Sequence, residues 1–403
     1  MRVLLLNQYY HPDIAATAQL ASDLGEALAA HGHTVRAIAS ARPYAGPGWR
    51  PLVEDHRGVH IVRVPGTALG RRTRAGRALD YATYLGGMLA PLLAGPRPDV
   101  VIALSTPPLV AALGLVLQRL RGTRLVYWVM DVYPEVAFEL GVLTPGSLPA
   151  RASLALAGAL HRGADAIVAL DDAMADRLRA AGASSEKIEV IDNWPPFADD
   201  LTRVPRATHP LRRELGLGDR FTISYSGNMG LGHDFDTLLD AMTRLRDEDL
   251  CWLFIGDGPR RAELERRVAV LGLAHAHFLP YQPLPQLALS LTAADASIVS
   301  LEARLAGLLA PSKLYGLLAT GVPIVYIGPE EGRTADLVRS HQIGISIRNG
   351  DGAGLAASLR RLMADKAELA AMGRRGRALY EERFTRAHSI GRLERLLERV
   401  AAC

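Results

Sequence analysis

Apolar residues in this chain fall into short unbroken runs separated by longer amphipathic stretches. In the first half the runs are 3–6, 34–38, 59–64, 100–104, 125–129, 166–170 and 188–191. Runs this short, apolar without alternation, predict strands buried on both faces. The stretches between them, such as 17–31, carry helical spacing. Strands alternating with helices imply βαβ units and a parallel sheet. The pattern breaks at Asp192-Asn-Trp-Pro-Pro-Phe-Ala-Asp-Asp200, and the polar stretch from there to about 219 reads as a linker. It restarts with runs at 222–226, 252–255, 277–279, 296–299, 324–327 and 344–347. The expected fold is therefore α/β, with two doubly wound domains and a cleft between them. The predicted boundaries are 1–197, 198–384 and a final helical segment 385–403 that could cross back onto the first domain.

Composition changes this picture little. A chain of 403 residues with 49% hydrophobic and 22% charged residues has material for more than one core. A net charge of +4 is too small to imply nucleic acid. Cys251, inside an apolar run, and Cys403, the last residue, cannot build a disulfide framework, which suggests a reducing compartment. No run reaches the roughly 18 apolar residues that span a bilayer. The opening run stops at Asn7 and reads as a first strand, not as a secretory signal. A cytoplasmic protein is expected.

Candidate chemistry concentrates where strands end. Ala310-Pro-Ser-Lys-Leu-Tyr-Gly-Leu-Leu-Ala-Thr-Gly-Val-Pro-Ile-Val-Tyr326 reads as a helix start, a short helix, a glycine stop and a buried strand. A helix start offers N–H groups and partial positive charge, and Lys313 adds a full one, so the segment suits a phosphate. Upstream, Ser226-Gly-Asn-Met-Gly-Leu-Gly-His233 follows one run and precedes a helical stretch. Its glycines allow close approach of backbone to a ligand, or simply a tight turn. Phe254-Ile-Gly-Asp-Gly-Pro259 repeats the strand–glycine ending; Asp257 could bind a sugar hydroxyl or cap the next helix. In the first half, Val129-Met-Asp-Val-Tyr-Pro-Glu135 places Asp131 and Glu135 after a strand. They could take a proton from a hydroxyl, bind sugar or metal, or be a turn residue and a solvated one. After the first strand, Thr17 is either a helix N-cap or a cleft residue. The twelve histidines are scattered and no zinc spacing supports a metal. The basic stretch Arg71-Arg-Thr-Arg-Ala-Gly-Arg77, followed by an apolar segment with Tyr81 and Tyr84, suits an anionic membrane surface or a solvated loop.

Taken in order, these pieces resemble the retaining group-1 (family 4) glycosyltransferases of GT-B fold, and among them the bacterial transferases of capsule, O-antigen and colanic acid assembly. The carriers are Asn7-Gln-Tyr-Tyr-His-Pro-Asp13, Gly32-His-Thr-Val35, Asp131-Val-Tyr-Pro-Glu135, Glu186-Lys-Ile-Glu-Val-Ile-Asp-Asn-Trp194, Ser226-Gly-Asn-Met-Gly230, Gly256-Asp-Gly-Pro259 and Pro311-Ser-Lys313. The resemblance implies two Rossmann-like domains facing an interdomain cleft. It implies transfer of a sugar from a nucleotide sugar, a UDP-sugar being favoured, to a lipid-linked or polysaccharide-intermediate acceptor in surface-glycan synthesis. No bound metal or cofactor is required, because helix termini and basic groups neutralise the diphosphate. With the residue reading above, it makes Asp131, Glu135 and Lys313 the catalytic candidates. Gly227, Asn228, Gly230, Gly256, Asp257 and Gly258, with Pro311, Ser312 and Leu314, would hold the donor. Glu302 is the nearest acidic candidate for a sugar contact. His11 and Thr17 would lie on the acceptor side. The basic residues Arg71, Arg72, Arg74 and Arg77 would touch the inner face of the membrane. An epimerase of the same fold, or a non-catalytic nucleotide-sugar-binding subunit, are the competing expectations.

The chain departs from the family pattern in three places. The two glutamates eight positions apart that many members carry fall on Leu308 and Gly316. The usual Gly-Gly after the first strand reads Ile14-Ala-Ala16. The Arg and Lys that often follow the Gly227 loop are replaced by Asn228, His233 and Asp234. Phosphate charge then falls mainly on Lys313 and backbone amides.

Overall fold

The computed structural model describes residues 1–67, 69, 74–108, 110–197, 204–273 and 275–402; the side chains of 74, 75, 77 and 78 lie outside that description. The chain divides into two compact units. The first comprises Met1–Asp192, Gly307–Ala310 and Ala387–Cys403, and the second Asn193–Ala306 and Pro311–Arg386.

The first unit is built on an eight-stranded sheet. Its strands are β1 (Arg2–Leu6), β2 (Thr34–Ser40), β3 (Val53–His56), β4 (Val59–Val64), β5 (Val100–Leu104), β6 (Arg124–Trp128), β7 (Ala166–Ala169) and β8 (Ile188–Val190). The order across the sheet is β3-β4-β2-β1-β5-β6-β7-β8. Every pairing is parallel except β3–β4, a hairpin closed by Arg57 and Gly58, both with positive φ. The polar edge strand β3, Val-Glu-Asp-His, has no apolar run, which is why the sequence pattern passed over it. The strand order reverses between β1 and β5, so the carboxyl ends of those two strands frame a crevice of the kind that binds ligands in open α/β sheets. Gln8 N donates to Thr106 O across it at 2.7 Å.

Two later pieces of chain complete this unit. Val132 N donates to Leu308 O (3.0 Å), and Asp131 forms an antiparallel bridge with Leu309. The carboxy-terminal helix Arg386–Ala402 lies against the amino-terminal elements. Glu394 accepts from His31 Nδ1 (2.8 Å) and His33 Nε2 (2.9 Å), and Arg399 pairs with Glu189 at 2.6 Å.

The second unit carries six parallel strands: β9 (Phe221–Ser226), β10 (Leu250–Ile255), β11 (Ala276–Leu279), β12 (Ala296–Ser300), β13 (Ile324–Gly328) and β14 (Gly344–Arg348). The order β11-β10-β9-β12-β13-β14 is the Rossmann order, with its reversal between β9 and β12. Tyr225, Phe235, Trp252 and Phe254 are almost fully buried in its core. One expectation fails here. The polar stretch after Asn193 is not all linker: Pro210–Glu214 is a helix. Its Arg212 is buried and donates to the carbonyls of Ala293 (2.7 Å), Gly218 (3.0 Å) and Arg220 (2.8 Å). A buried guanidinium is acceptable only with such partners, and polarity therefore disguised a packed element.

Candidate functional site

At the reversal of the second sheet, strand β9 runs into the Gly227 turn and β10 into the Gly256 turn. The two turns are laced together: Gly227 N donates to Ile255 O (2.8 Å), Met229 N to Asp257 O (2.7 Å) and Arg260 N to Met229 O (3.0 Å). Gly256 has φ 128°, and a Cβ there would stand 2.1 Å from Gly227 O. Gly227 has φ 121°, and its missing Cβ would stand 2.7 Å from Cε of Lys313. Glycine is required at both, because backbone and a lysine stem occupy the space.

Lys313 reaches this turn from the first residue of the helix Lys313–Thr320, which ends on Gly321 in the left-handed conformation. The reading of a helix start, short helix and glycine stop holds. Ser312 occupies the cap position without a side-chain cap bond and is exposed; Leu314 is buried, and its N–H donates to Pro311 O at 3.2 Å. The Lys313 ammonium lies 3.8 Å from the centre of the Tyr225 ring and donates to the Tyr225 hydroxyl and to Asn228 O (3.3 Å). Tyr225 in turn donates to Asn228 O at 2.6 Å. Among the described residues no carboxylate pairs with Lys313. Burial holds its pKa well below the usual lysine value, as expected of a cation that lacks an anion.

The other predicted donor residues lie on the same two turns and at the end of β12. Asn228 is exposed, and Gly230 is buried beside it. Asp257 is exposed; its carboxylate accepts from Gly258 N at 2.7 Å, while the next helix, Arg261–Val270, has Arg260 at its cap. The capping expectation for Asp257 is thus overturned, because the chain makes one more turn before that helix. Glu302 follows β12, and its N–H donates to Gly232 O at 2.9 Å. Burial, reinforced by Asp234, raises its carboxyl pKa. Asp234 serves the fold: its carboxylate accepts from Thr237 N (3.0 Å) and Asn349 Nδ2 (2.8 Å).

In the first unit, Asp131 stands just past β6. Ser105 Oγ, at the end of β5, accepts from the N–H of Met130 and of Asp131, each at 3.0 Å. Burial pushes the Asp131 carboxyl up to about 6. Glu135 opens the helix Glu135–Glu139, and its Oε2 is buried without a hydrogen-bond partner. Burial, and then Asp131, raises the pKa of both Tyr127 and Tyr133. A carboxylate with a raised pKa beside tyrosine hydroxyls can take a proton or orient a hydroxyl group.

His11 and Thr17 lie elsewhere in this unit. Thr17 is not a helix cap: Ala15 holds that position in the helix Ala16–Ala30. His11 stacks on His56, ring centres 3.6 Å apart, and its carbonyl accepts from Arg63 at 2.6 Å. Folding also gathers histidines that are scattered in sequence. His11, Glu26 and His56 form one group that could hold a metal, and His33, Glu394 and Glu398 form another. In the first, the two imidazole rings stack and Arg57 pairs with Glu26 at 2.9 Å, so that carboxylate already has a cationic partner. Among the described residues neither group includes Lys313 or Asp131. Arg71 and Arg72 lie outside the described residues, as do the side chains of Arg74 and Arg77.

Residues 16–194 match the family model described as a glycosyl transferase 4-like domain, and residues 220–365 match that of glycosyl transferases group 1. The chain belongs to the group-1 glycosyltransferases. WcaI of Escherichia coli (strain K12), named for colanic acid biosynthesis as a glycosyl transferase, is 29% identical over 80% of this chain and 82% of its own. The sucrose-phosphate synthase of Thermosynechococcus elongatus superposes with a TM-score of 0.80 at 18% identity, over 100% of this chain and 99% of the other. Anabaena HepE in complex with UDP-glucose superposes at 0.73 and 18%, over 99% of each chain. These likenesses show a GT-B fold for this glycosyltransferase, and the resemblance of its motifs to those of the group-1 glycosyltransferases is borne out. The sequence reading missed Tyr225 and His233. Tyr225 looked like an ordinary core residue of a strand, and His233 registered only as a departure from the family pattern.

Proposed function

We propose that this glycosyltransferase takes a sugar from a nucleotide sugar, a UDP-sugar in the first instance, and passes it with retention of configuration to a lipid-linked or polysaccharide-intermediate acceptor of surface-glycan synthesis. The observation that carries the donor assignment is the Lys313 ammonium, held over the Gly227 turn with no carboxylate partner among the described residues. A charge drawn half out of water favours a partner of opposite sign, and a diphosphate beside the strand reversal supplies it. The UDP-glucose complex of HepE and the name of WcaI support the donor and the pathway class.

In the reaction the bond from the anomeric carbon to the diphosphate oxygen breaks as the acceptor oxygen bonds to that carbon. Lys313, the Gly227 and Gly256 turns and the start of the helix Lys313–Thr320 stabilise the charge gathering on the leaving diphosphate. Ser312 and Asn228 are exposed to contact the nucleotide sugar, and Glu302 serves a sugar hydroxyl. Asp131 orients the acceptor hydroxyl or takes its proton, with Glu135 beside it. No metal has a part in this scheme. The first unit holds the acceptor, with His11 and Thr17 on that side. The basic residues Arg71, Arg72, Arg74 and Arg77 meet an anionic membrane surface, a reading supported by the exposed Leu79, Tyr81, Leu89 and Leu93 of the helix Arg74–Ala94.

Lys313→Ala tests the donor site. A charge-assisted contact of 1.5–3 kcal/mol corresponds to a loss of roughly 10–100-fold in UDP affinity, read by titration calorimetry. Acceptor-dependent release of UDP from UDP-glucose, or from a panel of UDP-sugars, should fall with it. Unchanged affinity and turnover would remove Lys313 from the site.

A further inference from the structure

The Lys313 ammonium has one neighbour whose chemistry the donor assignment leaves unused. His233 Nδ1 lies 2.7 Å from Ser300 O. A carbonyl only accepts, so Nδ1 carries the proton and Nε2 keeps its lone pair. That lone-pair nitrogen faces Lys313 Nζ at 3.5 Å. The ring stands edge-on to Tyr225 (centres 5.7 Å apart, 76° between planes) and to Phe235 (6.2 Å, 63°). Its backbone is pinned as well: Arg260 Nη1 donates to His233 O at 2.9 Å, and Asp234 N to Ser300 Oγ at 2.8 Å. The imidazole is therefore fixed in both orientation and tautomer.

A neutral acceptor is what this position requires. A carboxylate here would pair with Lys313 and repel a diphosphate. A second cation would push the ammonium away. A neutral imidazole directs the ammonium and leaves its whole charge for the incoming anion. Burial, and after it the charge of Lys313, pushes the His233 pKa down to about 3, so the ring stays neutral at any physiological pH.

We propose that His233 is a positioning residue, whose Nε2 lone pair holds the Lys313 ammonium over the Gly227 turn and aims it at the diphosphate of the nucleotide sugar. The proposal rests on the assignment of Lys313 to that diphosphate. It also accounts for the missing basic residues after Gly227: here one well-directed cation takes the place of several.

A double-mutant cycle separates positioning from other roles. The probe is UDP, titrated calorimetrically into the full chain carrying His233→Ala, Lys313→Ala, both, or His233→Gln. His233→Ala is expected to weaken UDP binding about 3–10-fold, the worth of one hydrogen bond. In the Lys313→Ala background the same change should have almost no effect. His233→Gln, whose amide oxygen can accept, should recover most of the affinity. Should His233→Ala fail to fold, His233→Phe keeps the ring and removes the acceptor. Additive losses, or wild-type affinity in His233→Ala, would overturn the positioning role while leaving Lys313 at the diphosphate. Wild-type affinity in Lys313→Ala would overturn both.

Discussion

Asp131→Asn should stabilise the first unit at alkaline pH and leave it unchanged in acid. Burial raises the Asp131 carboxyl from its ordinary 3.8 to about 6 in the folded chain. The folded state therefore holds this proton more tightly than the unfolded state. The stability contributed by the neutral acid is fully present below pH 3.8 and is lost as the pH rises through about 6; above that the deficit is constant. At about 1.4 kcal/mol per pH unit the interval amounts to roughly 3 kcal/mol at pH 8. Asparagine has nearly the same shape and never ionises, so it escapes that deficit. For a unit of this size the gain corresponds to about 6–12 °C in melting temperature. The assay is a pair of melting curves, wild type against variant, at pH 5 and pH 8, with transferase activity followed in parallel. The reasoning requires a gap that widens with pH and an activity that is lost. Equal gaps at both pH values would show that Asp131 is not held against its own ionisation. A stabilised variant with full activity would show that the strain serves no chemistry.

Two further outcomes follow, one from the geometry of the glycine turns and one from the basic stretch of the sequence. Gly256→Ala puts a Cβ 2.1 Å from Gly227 O at φ 128°, so it should cost about 3 kcal/mol or more and abolish UDP binding; an unchanged melting temperature in that variant would contradict the lacing of the two turns. Vesicles rich in phosphatidylglycerol should sediment the wild-type chain at low salt but not a variant with Arg71, Arg72, Arg74 and Arg77 changed to Gln, whereas equal sedimentation with neutral phosphatidylcholine would refute the electrostatic reading.

Much of the fold was legible in the sequence because buried parallel strands are written as unbroken apolar runs. Among the described residues, thirteen of the fourteen strands coincide with a run read from the sequence alone. The exception, β3, lies at a sheet edge where none of its four residues is buried, and nothing forces an apolar run there. Arg212 misled for the opposite reason: a charged residue reads as surface, but carbonyls supplied by Ala293, Gly218 and Arg220 make its burial affordable. Cap positions were the least readable. Thr17 and Asp257 are good capping types, but the choice of cap depends on where the preceding turn delivers the chain, a matter of φ and ψ that residue identity does not fix.

By itself the sequence determined that the chain is a two-part α/β protein of group 1, with glycine turns where β9 and β10 end and a lysine at a helix start. Apolar periodicity and turn chemistry are local, so they survive in one dimension. Only the tertiary structure decided that Tyr225, His233 and Lys313, up to 88 residues apart in the chain, share one spot. It alone decided that, among the described residues, the lysine has no carboxylate beside it, and that burial lifts the Asp131 pKa. Those properties depend on which groups are neighbours and how much water remains between them, and strand order sets both.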